Sequence, residues 1–173
     1  MKTSSVSTTV ALVSTQGAIV LPVIAFAIPF FVSGPQWLTG TAVNCLLVLA
    51  AARLPGRHVW SVILLPSVGA VAHGMLFGPF TSFLLFFVPF IWAGNWLFTA
   101  VFLRLRDISA ILAVSAGALA KAATLALFAL VFFRMNLVPQ LFVESMSLIQ
   151  FFTAIAGGLL ALGILRFLQT THE

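Results

Sequence analysis

Residues 108–133 read ISAILAVSAGALAKAATLALFALVFF. One charge, Lys121, interrupts an apolar run long enough to cross the hydrocarbon of a bilayer as a helix, which takes about 20 residues. A spanning strand needs about half that length and alternates apolar with polar positions, and this run does neither. A helix satisfies its own backbone hydrogen bonds in lipid, so the stretch is expected to be a transmembrane helix.

Working outward, five more stretches share this character. Spans are expected near 9–32, 37–52, 59–77, 81–103 and 147–168, making six with 108–133, in one domain of residues 1–173. The first ends at Ser33-Gly34-Pro35, a turn signal. The chain is 62% apolar and 6% charged, whereas a soluble domain carries about 25% charged residues. A chain of this size has too little interior to hide so much apolar surface from water. The expected fold is an all-α integral membrane protein, a six-transmembrane-helix bundle with the lipid bilayer as its solvent.

Charge placement tests that reading independently. With the N terminus inside, Lys2, Arg53, Arg57, Arg104, Arg106 and Arg166 fall on the cytoplasmic side and only Arg134 falls outside. Lys and Arg concentrate in cytoplasmic loops, so both termini are expected in the cytoplasm and the chain in the cell (plasma) membrane as a multi-pass protein. One competitor exists. Lys2, the apolar stretch after it and Ala25-Phe26-Ala27 have the form of a signal peptide with a cleavage site. Cleavage there would leave five spans with the same loop orientation. The apolar run continues through Ile28-Pro29-Phe30-Phe31-Val32, as a full span would.

The net charge of +5 is spread over helix ends and forms no patch, so no nucleic acid partner is expected. The single cysteine, Cys45, excludes disulfides within the chain and Cys-based metal clusters. No G-x-x-x-x-G-K-[ST] loop, H-E-x-x-H or G-x-S-x-G is present, which removes the common ATP-binding, metalloprotease and hydrolase sites. The acidic residues are Asp107, Glu144 and Glu173, none within a span. Coupled transporters and acid–base enzymes need intramembrane or paired carboxylates, so neither class is expected, and no motif calls for a cofactor.

The most informative polar features lie between Pro66 and Asn95, a stretch rich in Gly and Pro: Pro66, Gly69, Gly74, Gly78-Pro79, Pro89 and Gly94. Pro removes a helix hydrogen bond and Gly loosens the backbone. Irregular backbone at membrane depth survives where protein or a water-filled cavity satisfies it. The third span and its exit are therefore expected to form a broken helix lining a cavity. His73 lies there, and Asn95 lies between Trp92 and Trp96. Each has a bland alternative: an interhelical hydrogen bond for His73 and Asn95, bundle filling for the two Trp.

Lys121 is the sharpest oddity. An ammonium at mid-bilayer costs about 2.5–3.5 kcal/mol on insertion scales, so it is expected to face the bundle interior. It would bind an anionic ligand or pair with neighbouring polar groups, and Glu144 could dip toward it from the last outer loop. Asn44 and Gln150 are further intramembrane amides, read first as helix glue. Small residues at Ser109, Ala113 and Gly117, and at Ala154, Gly157, Gly158 and Ala161, mark faces for close helix packing. The ligand-binding candidates are His73, Lys121, Asn95, Trp92, Trp96 and Gln150.

Six short helices, basic cytoplasmic ends and no energy-coupling motif resemble the substrate-binding S components of energy-coupling factor (ECF) transporters. Gly74-Met75-Leu76-Phe77-Gly78-Pro79-Phe80, followed by Pro89-Phe90-Ile91-Trp92-Ala93-Gly94-Asn95, is similar to the third loop and fourth helix of some S-like membrane proteins. The resemblance implies a small solute held in a pocket open to the outside, with a transmembrane T component and two cytoplasmic ATPase subunits as partners. It also implies an A-x-x-x-A docking face on the first helix, where this chain has Ser14 and Ala18. The expected function is therefore a substrate-capturing membrane subunit, not an enzyme, with a non-transport scaffold or assembly subunit as the alternative.

Overall fold

The computed structural model describes the backbone of residues 3–32, 34–74 and 78–170, and the side chains of 17–32, 34–74 and 80–170. Among these residues the chain is helical throughout, with no strand. The long helices are α1 (Thr3–Phe31), α2 (Gln36–Arg53), α3 (Gly56–His73), α4 (Leu84–Leu105), α5 (Ala110–Arg134) and α7 (Leu148–Thr170); a short α6 (Leu141–Ser145) precedes α7, and a 3-10 turn (Gly78–Phe83) leads into α4.

Three segments, Phe80–Leu105, Ala110–Arg134 and Leu141–Thr170, are long and apolar enough to cross a membrane. The described side chains of α1, Gly17–Phe31, are also apolar. In each of the three, no more than 33% of the most apolar stretch is buried inside the protein. The rest points outward as large apolar side chains such as Leu119, Leu127, Phe152 and Leu160. Helices apolar on the outside as well as the inside belong in lipid.

α2 owes its weaker hydropathy to where it sits. α2 packs on α1, α3, α4 and α7, and half of its residues are buried, Asn44 and Thr39 among them. An enclosed helix can carry polar side chains because neighbouring helices, rather than lipid, meet them.

Helix termini follow local chemistry. Ser109 caps α5, its hydroxyl accepting from Leu112 N–H at 3.3 Å. α3 stops at Gly74, whose φ of 76° is a left-handed conformation that glycine adopts without a Cβ penalty. The expected break within the third span does not occur before that point: α3 runs unbroken through Pro66. Side chains of α4 bond carbonyls in the turn that precedes Pro66. Asn95 Nδ2 donates to Ile63 O (3.1 Å) and Trp92 Nε1 donates to Leu64 O (3.2 Å). The expected continuation over 75–77, the turn at Ser33 and the side chains of Lys2 and Ser14 lie outside the described residues.

The small-residue faces read from the sequence are occupied within the chain. A Cβ on Gly157 would meet Thr41 O, Cys45 N and Asn44 Cβ of α2, and one on Gly117 would meet the Phe98 ring and carbonyl of α4. The buried core divides in two. One cluster joins α1, α2, α3, α4, α5 and α7 around Leu47, Val62, Phe98 and Val114. The other gathers Leu84, Phe87, Leu125, Phe142 and Met146 near the start of α4 and α6, where Phe87 and Phe142 stack with ring centroids 5.2 Å apart.

Candidate functional site

Between the two clusters lies a cavity of about 550 Å³, counting the space at its open mouth. Its lining comes from the C-terminal halves of α1 (Pro29) and α3 (Pro66, Ser67, Ala70) and from the N-terminal halves of α2 (Gln36 to Asn44), α4 (Leu84 to Asn95) and α7 (Gln150). These five helices therefore alternate in direction, and the cavity occupies one end of the bundle. Exposed Arg53, Arg57, Arg104, Arg106 and Arg166 lie at the opposite helix ends. Every long helix contributes to the wall.

The cavity closes on Lys121, which sits about 16–20 Å from either end of α5 at 1.5 Å per residue. Its side chain is 2% exposed, and its Nζ donates to Asn44 Oδ1 at 2.7 Å. Asn44 is held in turn by its own amide, which donates to Gly40 O (2.9 Å) and to Thr153 Oγ1 (3.3 Å). Lys121 is thus tied through α2 to α7. It makes no ion pair: the one salt bridge among the described residues joins Arg106 to Asp107 at 3.8 Å. Glu144 is exposed on α6 and does not reach it.

Asn95 stands beside this group in the wall. Its Nδ2 is committed to Ile63 O, while its buried Oδ1 has no hydrogen-bond partner. A buried amide oxygen without a donor costs about 1–3 kcal/mol. The cavity therefore presents free donor capacity on an amine, which has three N–H donors when charged, and one free acceptor. Most of the remaining wall is apolar, with Val43, Leu84, Ile91 and Met146 prominent. Gln36, Thr39 and Gln150 add polar groups. Apolar walls with a few placed polar groups are the usual make-up of a small-molecule site.

The structure brings Lys121, Asn95 and Gln150 to this cavity and leaves three other candidates outside its lining. His73 ends α3, half-buried, with its ring edge-on to Phe30 at 6.0 Å. Trp96 faces outward on α4, 46% exposed. Trp92 turns its indole N–H to Ser67 Oγ at 2.7 Å and holds α4 to α3. Of the polar lining residues, Ser67, Thr39 and Gln36 carry no signal in the sequence, and Asn44 reads first as helix glue. The signal for Asn44 was there: a lysine without an intramembrane carboxylate needs an acceptor, and few amides are available.

Among the described residues no three His, Cys, Asp or Glu side chains converge as a metal site would require. What the arrangement can do is bind: it has a polar floor, an apolar wall and a mouth at one end of the bundle. In comparisons with known protein families, characterised proteins and solved structures, nothing matches this chain.

Proposed function

We propose that the chain is the substrate-capturing subunit of a small-solute uptake system in the plasma membrane, similar in role to an ECF S component and energised by partner ATPase subunits. In this reading all six long helices cross the bilayer, α2 and α3 shielded by their neighbours. Both termini are cytoplasmic and the cavity mouth faces outward. The observation that carries the reading is the cavity itself, walled by every long helix and ending on a buried lysine that has no acidic partner. A charge at that depth is expensive, and intramembrane ionisable groups mark substrate paths. The basic side chains at the helix ends away from the mouth support the orientation. The sequence carries no nucleotide-binding loop, which supports an energy source on other subunits.

The test is purification from native membranes in mild detergent, with mass spectrometry of the proteins and small molecules that come with it. A T-type membrane protein, ATPase subunits and a bound solute are expected. Recovery of the chain alone, free of solute and without effect on uptake when deleted, would overturn the reading.

A further inference from the structure

The polar end of the cavity restricts what fits there. Lys121 Nζ is the one charged group in the lining, and Asn44 Oδ1 takes one of its hydrogens. Asn44 cannot turn away without losing its bonds to Gly40 O and Thr153 Oγ1. A cation would be repelled there, and a neutral solute would leave a buried ammonium uncompensated, which is costly. A dianion would bring a second charge to a wall with no second cation. The orphaned Asn95 Oδ1 asks for an N–H or O–H.

Resting on the capture reading, we infer that the solute is a small organic monocarboxylate with an apolar body and one N–H or O–H donor. Its carboxylate accepts from Lys121 Nζ, and its donor meets Asn95 Oδ1. The apolar body lies against Val43, Leu84, Ile91 and Met146.

Binding to the full chain in lipid nanodiscs tests this with named probes. 4-Hydroxybenzoate and indole-3-acetate represent the class. Their carboxamides are the neutral controls, benzylamine and tryptamine the cationic ones, benzoate lacks the donor, and palmitate supplies a lipid carboxylate. Hydrogen bonds to charged groups exceed neutral ones enough to predict that the two carboxylates bind about 10- to 100-fold tighter than their carboxamides. Benzoate is expected to bind roughly fivefold more weakly than 4-hydroxybenzoate, for loss of one neutral hydrogen bond. Lys121→Met should bring the carboxylates down to the level of the carboxamides while the unliganded protein unfolds no more easily than wild type. Asn95→Asp, a near-isosteric change, should abolish carboxylate binding by placing a negative charge where the solute's donor belongs.

Carboxamides or amines binding as tightly as carboxylates, or Lys121→Met retaining carboxylate binding, would overturn the anion assignment and leave capture intact. Palmitate binding in preference to every other probe would make this a lipid site and overturn both. If no probe binds, the assignment falls, and the solute found on the purified protein decides the capture reading separately.

Discussion

Lys121 Nζ on α5 donates to Asn44 Oδ1 on α2 across 2.7 Å, at the depth where the two core clusters part. The pair joins helices far apart in sequence and leaves the lysine with donor capacity to spare. A double-mutant cycle with Lys121→Met and Asn44→Leu, read by unfolding in detergent, should return a coupling of at least about 0.6 kcal/mol, the average for interhelical side-chain hydrogen bonds in membranes, and no more than about 1.7 kcal/mol, the largest such value. Asn44→Leu alone should be the more damaging single change. It strands a buried cationic group, whereas Lys121→Met removes a charge whose burial costs about 2.5–3.5 kcal/mol and strands only an amide oxygen.

Trp92 and Trp96, one helical turn apart, should behave oppositely. Trp92→Phe removes the indole donor to Ser67 Oγ and Leu64 O and should cost about 1–2 kcal/mol in the same assay. Trp96→Phe changes an outward-facing ring and should stay within about 0.5 kcal/mol of wild type. Equal losses at both positions would contradict the assigned packing of α4.

Gly157 and Gly163 form a second contrast on α7. A methyl group on Gly157 would come within 2.7 Å of Cys45 N, so α2 and α7 must move apart. Gly157→Ala should destabilise by about 1–3 kcal/mol, the usual cost of overpacking. At Gly163 an added Cβ meets nothing within 4 Å, and Gly163→Ala should be neutral or stabilise by up to about 1 kcal/mol through helix propensity.

The orientation can be read with an impermeant maleimide. Cys45 is 5% exposed, so the wild-type chain should stay unlabelled in intact cells. In a Cys45→Ala background, Met135→Cys beyond α5 should label from outside. Gly56→Cys, where an added Cβ meets nothing within 4 Å, should label only after permeabilisation. The reverse pattern would invert the bundle and put the cavity mouth in the cytoplasm.

The six long helices are legible as predominantly apolar stretches, and their ends fall within four residues of the expected ones except at the start of α1, which begins at Thr3, six residues before position 9. Residues 59–77 were read as one span, yet α3 ends at His73. In sequence, Gly74 reads as part of a mid-helix break, whereas in the structure it is a helix stop in the left-handed region. α6 was missed because five residues carry no periodic signal.

The site was legible in part for a related reason. Lys121 announces itself as a charge among alanines. Its partner does not, because Asn44 lies 77 residues away and only the arrangement of helices makes them neighbours. Asn95 is readable as an amide, but that its Nδ2 is spent on Ile63 O, leaving Oδ1 free, follows only from the packing of α4 on α3. His73 looked interior because its span was drawn too long. With α3 ending there, the imidazole rests against Phe30 at the helix terminus.

The seating of α2 against α7 bears on how the chain is made. α2 is synthesised early, carries Asn44 and Thr39, and falls below the hydropathy that marks the three longest apolar segments. The groove that receives it is lined by Gly157 and Thr153, which leave the ribosome roughly a hundred residues later. Until then the face of α2 that meets α7 has no partner, so the final lodging of α2 waits on α7. A nascent chain arrested before α7 would hold Asn44 and Lys121 without Thr153, the group that completes their hydrogen-bonded line.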